Sequence, residues 1–600
     1  MSADHHPDPS GPADWLAVLA ARHPGRLRHV EHLPERVADT VPWPEWVAPP
    51  VYAALSGSGV RGLWRHQLVT AEHARAGRHV IVSTGTASGK SLGYLLPGLS
   101  ALVEGASAPN GRGSTMLYLA PTKALAADQL DRVTRLAVPG VRPATYDGDT
   151  PSDERRWIRE HANLVLTNPD LVHHSLLPRH TSWASFLRRL DYVVVDECHI
   201  YRGVFGSHVA AVLRRLRRVA ARYRADPTFV LASATVGEPA DHAARLVGAP
   251  VEAVTVDGSP RAATTFAMWE PGPLEARVRD VRGTDVDGAD VDGAAERGDG
   301  GLTPARRSAT TEAADLLADL VGLPGAGVQT VAFARSRAGV EALASGARRH
   351  LQDEAPDRVP AVAAYRGGYL PEERRLLEGG LRDRTLLGVA ATNALELGVD
   401  ISGLDAVLVA GWPGRRASLW QQIGRAGRSG GQSLAVFVAA DDPLDSYLLD
   451  HPEAVIGEPV ETTVMDPENP HALAPHLAAA AAELPLTPAD LELFGPQSRG
   501  LLDRLVRAGI LRRRPAGWYW AREDSPTDHV QLRGIGQTVT VVESGTARVI
   551  GTVDEASAHS QVHTGAVHVH QGRPYVITDL DLEAAAAAAV AGDPGWSTQA

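Results

Sequence analysis

The run His79–Ser83 leads into Thr84-Gly85-Thr86-Ala87-Ser88-Gly89-Lys90-Ser91, and a helical stretch begins at Leu92. Small residues in such a loop let backbone amides at a helix start converge on phosphate oxygens. The lysine then reaches the outer phosphates and the serine hydroxyl ligates Mg2+. The strict pattern has glycine where Thr84 stands, and the competing reading is an ordinary strand-to-helix turn. Further along, Asp196-Glu197-Cys198-His199 follows the apolar run Tyr192–Val195, at the strand end where α/β proteins place ligands. Asp196 in that position holds Mg2+ through water, and Glu197 orients and deprotonates an attacking water. Alone, the pair reads as two solvated charges. Ser233-Ala234-Thr235 closes the next strand and, in this order, becomes a coupling element between nucleotide and neighbouring domain. Gln421-Gln422-Ile423-Gly424-Arg425-Ala426-Gly427-Arg428 sets Arg425 and Arg428 three residues apart, adjacent on a helix face. Arginine delivered from a facing domain neutralises charge on a transferring phosphoryl group; taken alone, the stretch reads as a basic surface helix.

These groups need a scaffold that brings strand ends together, and the rest of the pattern supplies one. Short apolar runs alternate with amphipathic stretches, as in parallel α/β sheets. The first series is His79–Ser83, Met116–Ala120, Leu164–Thr167, Tyr192–Val195 and Phe229–Ala232; the second is Thr330–Phe333, Val362–Tyr365, Leu386–Ala390, Ala406–Val409 and Leu434–Val438. The expected organisation is an accessory segment over 1–50, with a helix near Trp15–Ala21. An ATP-binding α/β domain over 51–257 and a second over 258–450 follow. The Asp/Gly-rich stretch 281–301 reads as a flexible insertion. Leu501–Trp520 reads as a helix followed by a two-stranded wing, inside a linker and winged-helix-like domain over 451–525. A partial β-rich domain occupies 526–600, with an alanine-rich helix expected near its end.

Six hundred residues exceed what one core accommodates, and 44% hydrophobic with 22% charged residues is the balance of a globular protein. No apolar run approaches the roughly 18 residues that cross a bilayer, and the N-terminus lacks signal-peptide character, so a cytoplasmic protein with no membrane partner is expected. The single cysteine, Cys198, excludes an internal disulfide framework and a cysteine-based zinc cage within this chain. A net charge of −12 excludes nucleic-acid binding by bulk charge but not by local amides and arginines. Of 59 basic residues only Lys90 and Lys123 are lysine, which makes both candidates for places where a compact ammonium is required; the competing reading is chance survival of a compositional bias. The helix bearing Arg214, Arg215, Arg217, Arg218, Arg222 and Arg224 reads equally as a nucleic-acid contact or a solvated face. Arg512–Arg514 beside the wing reads as a duplex contact.

Taken together, the ordered series LWRHQ with Gln67, TGTASGKS, Ala120–Ala126 (APTKALA), Thr167–Leu171 (TNPDL), DECH, SAT, Ala332–Arg337 (AFARSR), Tyr365–Gly367 (YRG), Ala391–Ile401 (ATNALELGVDI) and QQIGRAGR resembles superfamily-two helicases of the DExH type over residues 60–430. The resemblance implies two RecA-like domains with ATP in the cleft and single-stranded nucleic acid across the top. It implies that Gln67 reads adenine, that Asp400 and Gln421 face the nucleotide, that Arg425 and Arg428 act as fingers, and that His199 couples with Ser233 and Thr235. Thr122, Lys123, Thr167 and Asn168 of the first domain, and Arg335, Arg337, Arg366 and Thr392 of the second, would contact backbone phosphates without reading sequence. The chain departs from DEAD-box RNA helicases at DECH, Lys123 and Gln421. Tyr146–Thr150 (YDGDT), Tyr201–His208 (YRGVFGSH), Asp466–Pro470 (DPENP) and Gly565–Gly572 (GAVHVHQG) make it similar to the mitomycin repair factor A group of DNA helicases, which carry a C-terminal MZB domain. That group has four zinc-binding cysteines near its C-terminus and this chain has none, so a truncated chain with no zinc is expected. The implied function is an ATP- and Mg2+-dependent DNA helicase, translocating 3′ to 5′ on single strands, engaging duplex and fork junctions, in DNA repair. The alternative is a large-helicase-related or RNA-directed enzyme with the same core.

Overall fold

The computed structural model describes residues 11–107, 113–274, 306–325, 327–392, 403–427, 431–533, 538–571, 573–592, 594–596 and 598. Asp400, Arg428, the 281–301 insertion and most of Ala391–Ile401 lie outside the described residues.

Two parallel sheets in tandem organise the chain, each of seven strands among the described residues. The first runs, edge to edge, Glu252–Val254, Val80–Ser83, Thr228–Ser233, Leu190–Val195, Thr115–Leu119, Leu164–Thr167 and Pro143–Thr145. Every neighbouring pair in it is parallel. Its inner strands Val80–Ser83, Thr228–Ser233, Thr115–Leu119 and Leu164–Thr167 are buried residue after residue, as strands covered by helices on both faces must be. The continuous apolar runs in the sequence therefore mark them, whereas the short, half-exposed edge strands Pro143–Thr145 and Glu252–Val254 carry no such signal.

The second sheet runs Leu27–Leu33, Thr264–Trp269, Ser433–Val438, Ala406–Ala410, Thr330–Ala334, Gly388–Ala391 and Val362–Tyr365. All its neighbours are parallel except the first pair, in which Leu27–Leu33 lies antiparallel to Thr264–Trp269. The N-terminal segment thus divides between the two halves. Leu16 and Leu19 of the helix Pro12–Arg22 join the core of the second sheet, while Val47, Val51 and Leu55 join that of the first. Leu27–Leu33 (LRHVEHL) is a polar edge strand, which its sequence does not separate from a loop.

Beyond the second sheet, the helices Pro470–Glu483 and Ser498–Arg507 share a core with Trp518 of the hairpin Leu511–Arg514/Gly517–Trp520. This is the helix-and-wing arrangement expected there. The last unit is a five-stranded sheet, ordered Arg548–Asp554, Thr538–Glu543, Ala586–Ala591, Arg573–Asp581, Val567–His570. Its middle strand corrects an expectation, because Ala586–Ala591 is not helical. Alanine's intrinsic preference is worth at most a few tenths of a kcal/mol per residue. Here it yields to ladders on both sides and to burial of Ala587 and Ala589 in the core with Val539, Val541 and Tyr575.

Within the arginine-rich helix Gly203–Arg222, Arg215, Arg217 and Arg218 fit neither of the two readings, while Arg222 and, just beyond it, Arg224 are exposed. Arg215 is fully buried and pairs with Glu483, its guanidinium also meeting His173 and His476. Arg218 donates to the carbonyls of Ala480, Leu484 and Pro485 and pairs with Asp490. Arg217 donates to the carbonyls of Val247 and Gly248. Arg215 and Arg218 fasten the winged region to the first domain. Among the described residues no helix is long and apolar enough to cross a membrane.

Candidate active site and nucleic-acid interface

The loop after Val80–Ser83 makes two left-handed turns, at Ala87 (φ 58°) and Gly89 (φ 65°), before the helix Ser91–Ser107 begins. A Cβ at Gly89 would stand 2.7 Å from Gln67 Nε2 and from the Trp64 ring, so only glycine fits. The Gln67 amide braces the loop with both ends: Nε2 donates to Gly89 O at 2.9 Å and Oε1 accepts from Trp64 N at 2.9 Å. Thr84 and Ser88 hydroxyls meet at 2.6 Å. Lys90 Nζ donates to the carbonyls of Gly85 (2.8 Å) and Thr84 (3.3 Å). Burial pulls the Lys90 ammonium below its ordinary value, against the opposing charges of Glu197, Asp196 and Asp257.

Asp196 faces this lysine from the next strand but one. Its Oδ2 accepts from Tyr118 at 2.5 Å and from Tyr94 at 3.1 Å, and its Oδ1 accepts from Glu197 N at 2.9 Å. Burial, and then the Glu197 charge, raise its carboxyl above the ordinary value. The Tyr94 hydroxyl is also 3.1 Å from Ser91 Oγ, which puts the Ser91 and Asp196 oxygens on either side of one phenol. That paired set of hard oxygen donors, opposite a phosphate-type loop, suits Mg2+.

Glu197 sits in the left-handed region (φ 47°), which turns its carboxylate along the cleft toward His199 Nδ1, 3.3 Å away. His199 Nε2 is 2.9 Å from Gln421 Nε2 on the helix Arg416–Ile423 of the second sheet. His199 thus lies between the Glu197 carboxylate and the Gln421 amide. Burial and the Lys90 charge drop His199 to about 3, so the ring is neutral. Glu197, His199 and Gln421 therefore form one chain across the cleft. Ala234 N lies 3.4 Å from His199 Nδ1, while Ser233 is buried and Thr235 exposed. A Cβ at Gly424 would collide with Thr86 Oγ1, so the glycine lets the second domain meet the phosphate loop. Arg425 follows, and its positive charge adds to the burial that holds the Lys90 ammonium below its ordinary pKa.

Sequence reasoning missed a second brace behind the loop. His66 Nε2 donates to Ser88 O at 2.8 Å and its Nδ1 accepts from Gly258 N at 3.1 Å. Asp257, paired with Arg36 at 2.7 Å, accepts from Gly85 N at 3.2 Å. These groups tie the loop to the segment between the two sheets and to the N-terminal segment. His66 adjoins Gln67, but Asp257 stands in no motif.

The expected strand-binding residues are less uniform. Thr122 caps the helix Lys123–Leu136 through Leu125 N, and Asn168 caps its turn through Leu171 N. Lys123, half exposed, pairs with Asp149 at 2.7 Å. Thr167 is buried and donates to Tyr146 O. Arg335, half exposed, donates to Trp412 O at 2.6 Å, and Arg337 donates to Thr552 O at 3.3 Å. Thr392 is buried. Arg366 corrects the expectation of a phosphate contact. It is 1% exposed, pairs with Glu341 at 2.9 Å, donates to Val569 O at 2.6 Å and lies over the Tyr369 ring. The C-terminal sheet covers it. Arg533, unnoticed in the sequence, pairs with Asp170 and donates to Pro121 O, linking the end of the winged region to two of these loops.

Residues 64–243 match the DEAD/DEAH box helicase family, 312–430 the helicase conserved C-terminal domain, and 465–535 the winged helix domain of ATP-dependent helicase HRQ1. The uncharacterized ATP-dependent helicase YprA of Bacillus subtilis is 37% identical over 557 residues, covering 91% of this chain and 69% of that protein. ATP-dependent helicase HRQ1 of Saccharomyces cerevisiae is 33% identical over 592 residues, covering 96% of this chain and 51% of its own length. The crystal structure of the DUF1998 helicase MrfA bound to DNA superposes with a TM-score of 0.85 at 36% identity, covering 97% of this chain and 74% of that one.

Proposed function

The chain belongs to the DEAD/DEAH-box ATP-dependent helicases of the YprA and MrfA kind, and from that premise we propose that it is an ATP-driven DNA translocase that moves 3′ to 5′ on single strands and opens duplex or fork junctions during DNA repair. The observation that carries the reading is the chain Glu197–His199–Gln421, which joins the hydrolytic carboxylate of one sheet to the arginine-bearing helix of the other.

In this reading ATP lies between Lys90 and Arg425. The amides of Thr84–Ser91 and the Lys90 ammonium hold its phosphates, and the Gln67 brace fixes the loop beside the base. Ser91 and Asp196 would hold Mg2+, which neutralises charge on the outer phosphates. Glu197 orients the attacking water and takes its proton. His199, held neutral, accepts the Gln421 hydrogen bond and keeps Glu197 aligned. Arg425, joined by Arg428, stabilises the transferring phosphoryl group only when the two sheets approach. Hydrolysis removes the shared anion and the sheets part. Thr122, Lys123, Thr167 and Asn168 on one side, with Arg335, Arg337 and Thr392 on the other, hold successive phosphates, and Asp400 faces the nucleotide. Ser233 and Thr235 transmit the change in separation to that grip.

The test is strand displacement on a partial duplex carrying a 3′ or a 5′ single-stranded DNA tail. Unwinding from the 3′ tail alone is expected. Unwinding from the 5′ tail overturns the polarity, and equal unwinding from an RNA tail moves the substrate to the RNA-directed alternative.

A further inference from the structure

The segment that leaves the second sheet for the winged region does not skirt the cleft but crosses it. Gly203 N donates to Val464 O at 2.8 Å, just beyond the Asp196–His199 motif. Gly237 N donates to Glu461 O at 3.3 Å, just beyond Ser233–Thr235, and a parallel bridge pairs Gly237 with Thr462. A Cβ at Gly237 would stand 2.8 Å from Val460 O and 3.0 Å from Thr462 N, so this strap seats only against glycine.

From the same strap the Glu461 side chain turns to the other domain. Its Oε1 accepts from Arg416 N at 2.8 Å and its Oε2 lies 3.4 Å from Ala417 N. These are the first-turn amides of the helix Arg416–Ile423, whose own N-cap residue, Arg415, makes no side-chain cap. Such amides have no partner within a helix, and the end of the helix carries positive partial charge, so a carboxylate there fixes its position. This helix carries Gln421 and runs directly into Arg425. Glu461 and Thr463 also wall a cavity of about 610 Å³ between the sheets, together with His199, Arg335 and Gln421.

We propose that Glu461 is a positioning residue for ATP turnover, binding the helix that presents Gln421 and Arg425 to a strap seated on the two first-domain motif loops. A shift of the winged region on DNA then reaches Arg425 through the strap. The inference rests on the reading of the chain as a DNA-stimulated ATPase.

The test compares Glu461→Ala, Gly237→Ala and the double variant Arg415→Asp/Glu461→Ala with wild type, in steady-state ATP hydrolysis with and without single-stranded DNA. Glu461→Ala is expected to lower the DNA-stimulated kcat about tenfold while KM for ATP stays within about twofold, because the phosphate loop lies wholly in the first domain. Arg415→Asp restores a cap without the link to the strap, so the double variant stays low. Gly237→Ala, which lifts the strap with Glu461 intact, reproduces the loss and serves if Glu461→Ala does not fold. A wild-type stimulated kcat in Glu461→Ala, or its full recovery in the double variant, overturns the proposal; the latter reduces Glu461 to a helix cap. Wild-type protein without DNA stimulation overturns the functional reading and this inference with it, a result distinct from the other two.

Discussion

In the nucleotide cleft, Lys90, Asp196, Glu197, His199 and Gln421 face one another across a few ångströms, whereas the residues assigned to the strand-binding face are spread over both sheets and several turn inward. The cleft residues sit on strand ends, one loop and one helix, whose geometry the local sequence dictates. The strand-binding residues depend on what is laid over them: Arg366 lies under the C-terminal sheet, and Arg337 touches the same sheet at Thr552. A motif that carries its own backbone geometry places its chemistry, but a lone arginine acquires its role from the neighbours that cover it.

Variants can break or sharpen that contrast. The largest effect belongs to the cleft. Arg425→Ala is expected to slow turnover on the order of 10³-fold, the scale of an arginine finger, with KM little changed, as read by steady-state hydrolysis. Among the arginines that turn inward, Arg215→Ala leaves the buried Glu483 carboxylate uncompensated and is expected to cost about 3–5 kcal/mol in chemical denaturation, with the winged region released first. Arg366→Ala and Lys123→Ala then separate the two fates of a basic residue. The first destabilises the protein by about 3 kcal/mol, because the buried Glu341 carboxylate loses its guanidinium, and leaves the salt dependence of DNA binding unchanged. The second leaves stability unchanged and lowers the slope of log affinity against log salt by about one.

Acid and alkali draw a smaller version of the comparison. Burial lowers His199 and His568 to about 3 and His173 to about 2. Above pH 6.5 these rings are neutral whether the chain is folded or not, and they contribute nothing. As pH falls from 6.5 toward the folded values the unfolded chain alone gains protons, so stability drops by up to about 1.4 kcal/mol per pH unit for each ring. His350 has the opposite sign, because its carboxylate partners Asp315 and Asp319 raise it to about 10. Its contribution is complete below pH 6.5 and is lost between 6.5 and about 10. Thermal melting across pH is therefore expected to show a midpoint that peaks near neutrality. The acid side is removed by burial at the cleft, the winged-region contact and the C-terminal sheet, the alkaline side by the His350 cluster of the second domain.

The sequence showed most of the parallel strands because a strand buried on both faces must be apolar throughout, and it showed the cleft because loop, strand end and helix each left a distinct pattern. It did not show Leu27–Leu33 as part of the second sheet, since a polar edge strand resembles a loop until its partner is known. The alanines of Ala586–Ala591 carry a helical preference that ladders on both sides override. Arg215 and Arg218 of Gly203–Arg222 gave no sign of burial because Glu483, Asp490 and the carbonyls that receive them lie some 260 or more residues along the chain. Asp257 and Glu461 were invisible for a related reason, as each acts on a backbone amide of a distant element and belongs to no motif.

The most direct test of a cleft driven by nucleic acid is the steady-state rate of ATP hydrolysis by wild type and Lys90→Ala, without nucleic acid and with single-stranded DNA, duplex DNA or single-stranded RNA, at two salt concentrations. Strong stimulation of the wild type by single-stranded DNA, weakened by salt, is expected, with no turnover by the variant under any condition. Near-normal turnover by Lys90→Ala, or a wild-type rate indifferent to DNA, would contradict that expectation.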